Sequence, residues 1–400
     1  MSAHRRAFFL AAALLFAQTA ALAQMAPPRT LDELKAETQT RADRNAYPLI
    51  GIKPADAREA LARVTTLDRD EWAAAWSAVA ERYDAAAASA EAAGRIGEAK
   101  ENHLAAWRLY SFARWPVTNS PAKQTAYDKA LRAFAAYARH LDPAPEIVRI
   151  PFEGKEIVGL LRLPKAAKAA PLVLTIAGLD SRKEEAIERS SVYLDRGIAT
   201  FAFDLPGTGE MPVKGDVDSE RVFSRALDYV ASRPEIDAKR VAVQSNSWGG
   251  YWAAKLAIVE RARLKAVVVQ GGPIHAYFQP EWQLKALGTR EYLFDLFPAR
   301  ASVYGVTSLE DFMAFGPKMS LKSQGLIDKP AAPMLLVNGL NDTQVPIADL
   351  DLMLHSGTSP KEAWLNPAGG HMGRSPDWPD GKIFREVIAP WIARHLAAAE

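Results

Sequence analysis

The sequence predicts an α/β protein in which a mostly parallel sheet of eight strands, covered by helices on both faces, follows an all-helical segment. Three observations carry this prediction. From about Thr30 to Leu141 the chain is rich in Ala, Glu, Arg and Lys, with aromatic residues recurring at helical spacing. After Pro145 the texture changes to short β-branched runs alternating with amphipathic stretches, as in strands buried on both faces by crossover helices. Finally, 400 residues with 49% hydrophobic and 24% charged content suffice for one large core plus a smaller domain.

Residues 1–23 read as an address. Arg5 and Arg6 precede an apolar run from Ala7 to Ala17, and Ala21-Leu22-Ala23 has the small-x-small pattern of a cleavage site. The run is shorter than the ~20 residues a spanning helix needs. A signal peptide is therefore expected, with a mature chain starting at Gln24 and a periplasmic or secreted location. Residues 24–145 are then expected to form a helical N-terminal domain. Trp72, Trp76, Val79 and Tyr83 fall at i, i+4, i+7 and i+11, and Tyr127, Leu131, Phe134, Ala138 and Leu141 repeat the stripe on a later helix. Asn119-Ser120-Pro121 opens that helix with a cap and an N1 proline, and Asp142-Pro143-Ala144-Pro145 closes it.

Residues 146–400 supply the sheet. A hairpin of Glu146–Phe152 and Glu156–Leu163 turns at Gly154, and further strands are expected at 172–176, 199–203, 241–244, 266–269, 334–337 and 363–365. Helices fall near 183–194, 219–231, 250–261 and 383–397. The connection between Val269 and Met334 exceeds an ordinary crossover, so about 273–331 is a lid-like insertion. Its aromatic residues suit an apolar pocket or the packing of the insertion itself; His275, Tyr277, Phe278 and Trp282 are the substrate-binding candidates.

Ser245-Asn246-Ser247-Trp248-Gly249-Gly250 follows a β-branched strand directly and opens a helix, the position of a nucleophile elbow in an α/β-hydrolase fold. Ser245 stands where the first glycine is usual, while Gly249 keeps the second. The order this fold demands is nucleophile, acid, histidine. Asp342 lies in a loop after a buried strand and His371 in the glycine-rich loop after the last strand, so the expected set is Ser247, Asp342 and His371. A serine hydroxyl is a poor nucleophile until an imidazole accepts its proton, and a carboxylate holds that imidazole in the productive tautomer. Asp349 and Asp351 are expected on a following helix as solvated or capping charges. Backbone donors for a developing oxyanion should come from Trp248 and from Leu179, after the third strand.

Other chemistries are excluded or disfavoured. With Cys 0, thiol nucleophiles and thiolate metal sites are ruled out. No His/Asp/Glu grouping has metal-ligand spacing. The glycines of Asp204-Leu205-Pro206-Gly207-Thr208-Gly209 lack the following lysine of a phosphate cradle and read as a strand-end turn. Lys+Arg 49 against Asp+Glu 47 leaves a formal charge of +2, with no global field for nucleic acid or a membrane surface. A small-molecule substrate, no cofactor and no metal are expected, with no nucleic-acid partner and no membrane association once the leader is removed. A homodimer is left open.

Gly178-Leu179-Asp180-Ser181-Arg182-Lys183-Glu184-Glu185, Asp204-Leu205-Pro206-Gly207 and the elbow resemble a branch of the α/β-hydrolases in which a helical domain precedes the catalytic sheet. That branch includes dihydroxypseudooxynicotine hydrolase and esterases similar to the fermentation-respiration switch protein. The resemblance implies a triad carried onto Ser247, Asp342 and His371, with the helical domain capping the pocket. It leaves the bond open, because the branch contains ester hydrolases and enzymes that break carbon-carbon bonds next to a ketone. The leading expectation is a carboxylic ester of small or medium size. Trp248-Gly249-Gly250-Tyr251 is also similar to prolyl-oligopeptidase-like peptidases, but those carry a β-propeller where this chain is helical. A non-catalytic binding protein is the remaining alternative.

Overall fold

Eight strands, β1 (Glu146–Phe152), β2 (Lys155–Arg162), β3 (Ala170–Ile176), β4 (Ala199–Phe203), β5 (Ile236–Asn246), β6 (Ala266–Gln270), β7 (Met334–Gly339) and β8 (Lys361–Asn366), form one sheet. Their spatial order is β1-β2-β4-β3-β5-β6-β7-β8. This computed structural model describes residues 27–165 and 168–397, and the expected leader lies outside them. Only β1/β2 and β2/β4 pair antiparallel. The hairpin turns on Glu153 and Gly154, both with positive φ (48° and 74°), which matches the twist of the flanking strands.

Strand alternation splits the interior into two layers. Leu172, Leu174, Phe201, Phe203 and Val243 face one side, packing with Phe223 and Trp252. Val173, Ala242, Val268 and Val337 face the other, against Tyr193, Ile388, Trp391 and Leu396. Both sides are covered, so β4 and β6 are buried throughout. That explains why they read as uninterrupted apolar runs.

The N-terminal segment folds as α1 (Leu31–Asp43), α2 (Pro54–Arg63), α3 (Arg69–Ala92), α4 (Ile96–Ala113) and α5 (Pro121–Ala138). Trp72, Trp76 and Val79 are buried as the periodicity requires, and Trp76 meets Phe112 edge-on at 4.5 Å. Tyr83, half-buried at the end of the stripe, donates its hydroxyl to Asp56 at 2.6 Å. Ser120 occupies the N-cap of α5 but makes no capping bond; Asp70 of α3 accepts from Ala122 N at 3.0 Å instead. The helical core is continuous with the sheet, since Leu160, Ala202, Ile187 and Leu293 belong to the same apolar cluster as Trp76 and Phe134.

After β3 the expected single helix is two, α6 (Lys183–Arg189) and α7 (Ser191–Leu194). Ser190 breaks it by turning its hydroxyl back to Ile187 O at 2.7 Å while accepting from Arg162. Next come α8 (Arg221–Ala231) and α9 (Trp248–Val259); the insertion folds as α10 (Pro280–Leu287), α11 (Leu296–Tyr304) and α12 (Leu309–Met319); α13 (Ile347–His355) follows β7. The C-terminal helix carries one π turn, Phe384–Ile388, just before Pro390, which has no N–H for the regular bond. Among the described residues no helix is long and apolar enough to cross a membrane.

The Asp204–Gly209 segment is held by a buried charge cluster. Lys183 Nζ lies 3.0 Å from Asp204, 2.9 Å from Glu184 and 2.7 Å from Glu210. Burial alone would favour the neutral forms; attraction outweighs it, keeping the Lys183 ammonium well above its ordinary value and the Asp204 carboxyl below. Gly209 is required here, because at φ +54° a Cβ would meet Asp204 Oδ2 at 2.2 Å. Removing one partner of such a buried pair strands the other. Lys183→Met should therefore lower stability by about 3–5 kcal/mol, read as a shifted urea midpoint at neutral pH. A loss below about 1 kcal/mol would show that water reaches the cluster.

Candidate active site

The site begins with a steric constraint at the end of β5. A Cβ on Gly249 would sit 2.4 Å from Ala177 O, and one on Gly250 would sit 2.6 Å from Gly272 Cα. Strand and helix thus cross at glycine contact, and Ser247 between them adopts φ 51°, ψ −133°. Its N–H donates to Gln270 O at 2.7 Å, which fixes the turn to β6. A strained non-glycine residue persists only where its surroundings over-determine it. Ser245, standing in for the usual glycine, points its hydroxyl into Ile176 O at 2.6 Å and so ties β5 to β3.

The three expected residues come together. His371 Nε2 lies 2.8 Å from Ser247 Oγ, and His371 Nδ1 lies 2.8 Å from Asp342 Oδ2. Asp342 is further held by Asn338 Nδ2 at 2.9 Å and by the amides of Gln344 (2.7 Å) and Val345 (3.0 Å). Burial pushes its carboxyl up, but His371 and these donors outweigh burial and leave it below the usual range. His371 is placed by the tight loop after β8. A Cβ on Gly339 would meet Gly369 O at 2.2 Å, and Met372, at φ 66°, presents its carbonyl to Gln270 Nε2 at 3.0 Å. The amides of Leu179 and Trp248 donate to no acceptor among the described residues.

These groups open on a cavity of about 790 Å³ between the sheet's carboxyl edge, the end of α1 and the insertion. Of the four substrate-binding candidates only Tyr277 lines it. His275 turns away to Ser320 Oγ at 2.8 Å. Phe278, 1% exposed, packs edge-on against Trp248 and Tyr251, and Trp282 donates to Gln344 O at 3.1 Å. Most of the insertion's other aromatics are packing too: Phe294 meets Trp72 at 4.9 Å and Phe297 meets Phe312 at 5.7 Å.

Asp349 corrects a sequence expectation. It is fully buried and accepts from the amides of Ile274, His275, Ala276 and Tyr277, anchoring the start of the insertion to α13. Asp351 is exposed. Wall residues that sequence reasoning missed include Tyr47, Trp115, Asp180 and Arg300, whereas Tyr292, one of the insertion aromatics expected to suit a pocket, does line it. Trp115 Nε1 donates to Asp180 at 3.1 Å and Arg114 Nη1 to Asp180 O at 2.6 Å, so the helical segment grips the residue after Leu179 directly. Only the Gly178–Glu185 run could have signalled this wall.

The family described as "Esterase FrsA-like" matches residues 52–364. Esterase FrsA of Photobacterium profundum is 26% identical over 351 residues, covering 86% of this chain and 79% of that protein. The 2,6-dihydropseudooxynicotine hydrolase of Paenarthrobacter nicotinovorans is 26% identical, covering 71% and 74%. Among solved structures, that of the 2,6-dihydroxy-pseudo-oxynicotine hydrolase superposes with a TM-score of 0.73 at 24% identity, covering 87% of this chain and 94% of the other. It shares the α/β-hydrolase fold, helical N-terminal region included.

Glu185, on the cavity wall, gives a pH test. Burial pushes its carboxyl up to about 7, against the pull of Arg114 and Arg189. A carboxyl raised on folding favours the fold below its unfolded value, and that contribution fades as pH climbs from about 4.3 through the folded value. Glu185→Gln keeps an acceptor for Arg182 N, bonded at 3.2 Å in the wild type. Relative to wild type, the variant should gain about 1–2 kcal/mol between pH 5 and pH 8 by urea unfolding, the 24% exposure of the side chain moderating the effect. An identical difference at both pH values would mean that Glu185 is ionised throughout.

Proposed function

The chain belongs to the FrsA-like esterase family, and on that premise we propose that it is an exported serine hydrolase cleaving carboxylic esters of small or medium size. One observation carries the mechanism: the His371 ring bridges Ser247 and Asp342 with 2.8 Å contacts on both sides. Ser247 Oγ attacks the ester carbonyl as His371 Nε2 takes its proton, and Asp342 stabilises the imidazolium that forms. The oxyanion of the tetrahedral intermediate is received by the free amides of Leu179 and Trp248. His371 returns the proton to the departing alkoxide, leaving an acyl-enzyme on Ser247. Water, deprotonated by His371, then releases the acid and restores the serine.

Residues 24–145 act as a cap, a role supported by Tyr47 and Trp115 on the cavity wall. Export is supported by Arg5-Arg6, the apolar run and Ala21-Leu22-Ala23. A second reading, hydrolysis of a carbon-carbon bond next to a ketone, draws support from the pseudooxynicotine hydrolase relative. The same serine and oxyanion donors would serve it, and the products separate the two: an acid plus an alcohol, or an acid plus a ketone or arene. The peptidase alternative draws less support, because the segment that would carry a propeller in such enzymes folds here as α1 to α5.

Treatment with a fluorophosphonate should add one adduct to the wild type by intact mass and none to Ser247→Ala. That variant should lose about 10⁴- to 10⁶-fold in kcat on an activated ester while keeping its unfolding midpoint. Asp342→Asn, which reverses the tautomer preference of His371, should lose about 10⁴-fold. Equal labelling of Ser247→Ala would remove Ser247 from the mechanism.

A further inference from the structure

The cavity wall contains a buried positive charge with no counter-ion. Arg300, on α11, is 2% exposed, yet it lines the same cavity as Ser247. Its Nη1 donates to Gln283 Oε1 at 2.8 Å and its Nη2 to Gln344 Oε1 at 3.0 Å, while Nε has no partner. The guanidinium lies over the Tyr277 ring, 5.1 Å from its centroid. No Asp or Glu among the described residues forms an ion pair with it. Buried guanidinium groups are ordinarily paired, because an unpaired charge is costly to desolvate.

The two glutamines show how the charge is kept. Gln283 donates its amide N–H to Tyr277 O and Gln344 to Thr289 Oγ1 at 3.2 Å, so both amide oxygens are turned onto Arg300. Neutral acceptors orient the fork without cancelling it. The cavity's acids are engaged elsewhere: Asp380, Glu37 and Glu185 pair with Arg189, Arg41 and Arg114. Asp180 accepts from Trp115 and Glu291 from Thr343. The oriented fork is also close to the reacting groups, since the Gln344 amide donates to Asp342 Oδ1 at 2.7 Å.

We propose that Arg300 receives a carboxylate of the substrate, so that the preferred esters are anionic, such as half-esters of dicarboxylic acids. A planar fork that keeps N–H donors to spare after its two glutamine bonds matches a carboxylate in a way that a lysine does not. This proposal rests on the ester-hydrolase reading above and narrows its substrate class.

The test compares the mono-p-nitrophenyl ester of glutaric acid with its neutral isostere, in which an isopropyl group replaces the carboxylate. Wild type should favour the half-ester in kcat/KM by about 10-fold or more, and Arg300→Gln should reduce that ratio by about 10- to 100-fold, mainly through KM. Arg300→Lys, which keeps the charge but not the fork, should fall between. A wild-type ratio at or below one, or a ratio that Arg300→Gln leaves unmoved, overturns the proposal. Calorimetric titration of free glutarate needs no turnover: binding to wild type that weakens at least about tenfold in Arg300→Gln supports the anion site, and equal or absent binding overturns it. Should glutarate bind through Arg300 while both esters stay intact and Ser247 stays unlabelled, the ester-hydrolase reading falls and the anion site stands. If Arg300→Gln does not fold, the wild-type ratio and Arg300→Lys decide.

Discussion

Everything in the site depends on how closely β5 and α9 approach β3 and β6. Gly249 against Ala177 O and Gly250 against Gly272 leave no room for a side chain, so the chain can pass from strand to helix only through the strained conformation of Ser247. That conformation lifts the hydroxyl clear of the sheet edge and places the Trp248 amide, still without an intrahelical acceptor, beside it. The strain is sustained by neighbours that are themselves rigid: the Gln270 carbonyl that holds Ser247 N and the Ser245 hydroxyl that clamps β5 to β3. The rest of the sheet supplies the remaining groups by topology, because β3, β5, β7 and β8 all deliver their carboxyl ends to the same edge.

The sheet was legible in the sequence because its strands obey simple patterns: continuous apolar runs in the centre, a glycine turn in the hairpin and amphipathic helices between. The elbow was legible because a small-residue motif fell at a strand-to-helix junction, and the placing of Asp342 and His371 followed from chain order. What escaped was decided by tertiary contact. Nothing local distinguishes Asp349, which four amides of a distant loop pull into the core, from the exposed Asp351 beside it. The cap of α5 escaped for the same reason, since Asp70 reaches it across the bundle while Ser120 holds the sequence position. The helix break at Ser190 reflects a hydroxyl shared between Ile187 O and Arg162, a bond that only the folded chain can form.

The insertion shows the limit of composition as a guide to pockets. Its aromatic density suggested a lining, yet Phe278, Phe294 and Phe297 are consumed in fastening it to α9, to the helical segment and to itself. A segment of this length without β-pairing must bury a core of its own, and its aromatic residues do that first. What the insertion itself adds to the cavity wall is mostly polar or amphipathic, Tyr277, Tyr292 and Arg300 beside Leu296, and it faces Gln344 and Asp180, the latter held by Trp115 from the helical side. Arg69 reaches across in the same way, with two 2.8 Å bonds to Asp295 in the insertion. Helical segment, insertion and sheet are thereby one polar-laced assembly around the cavity that holds Ser247.

A net charge of +2 says little about what this cavity prefers, because net charge governs encounter at long range whereas recognition is settled by the few groups left unneutralised inside. Many of the buried charges are matched close by, as in the Lys183 cluster, where one ammonium faces three carboxylates. Arg300 departs from that economy. Its partners are two glutamine oxygens and a phenol ring, all of which orient a cation and none of which discharges it. A fold that needed only a brace between α11 and Asp342's loop could use an uncharged side chain at lower desolvation cost. Retaining the guanidinium makes physical sense when the missing negative charge arrives with the molecule that fills the cavity.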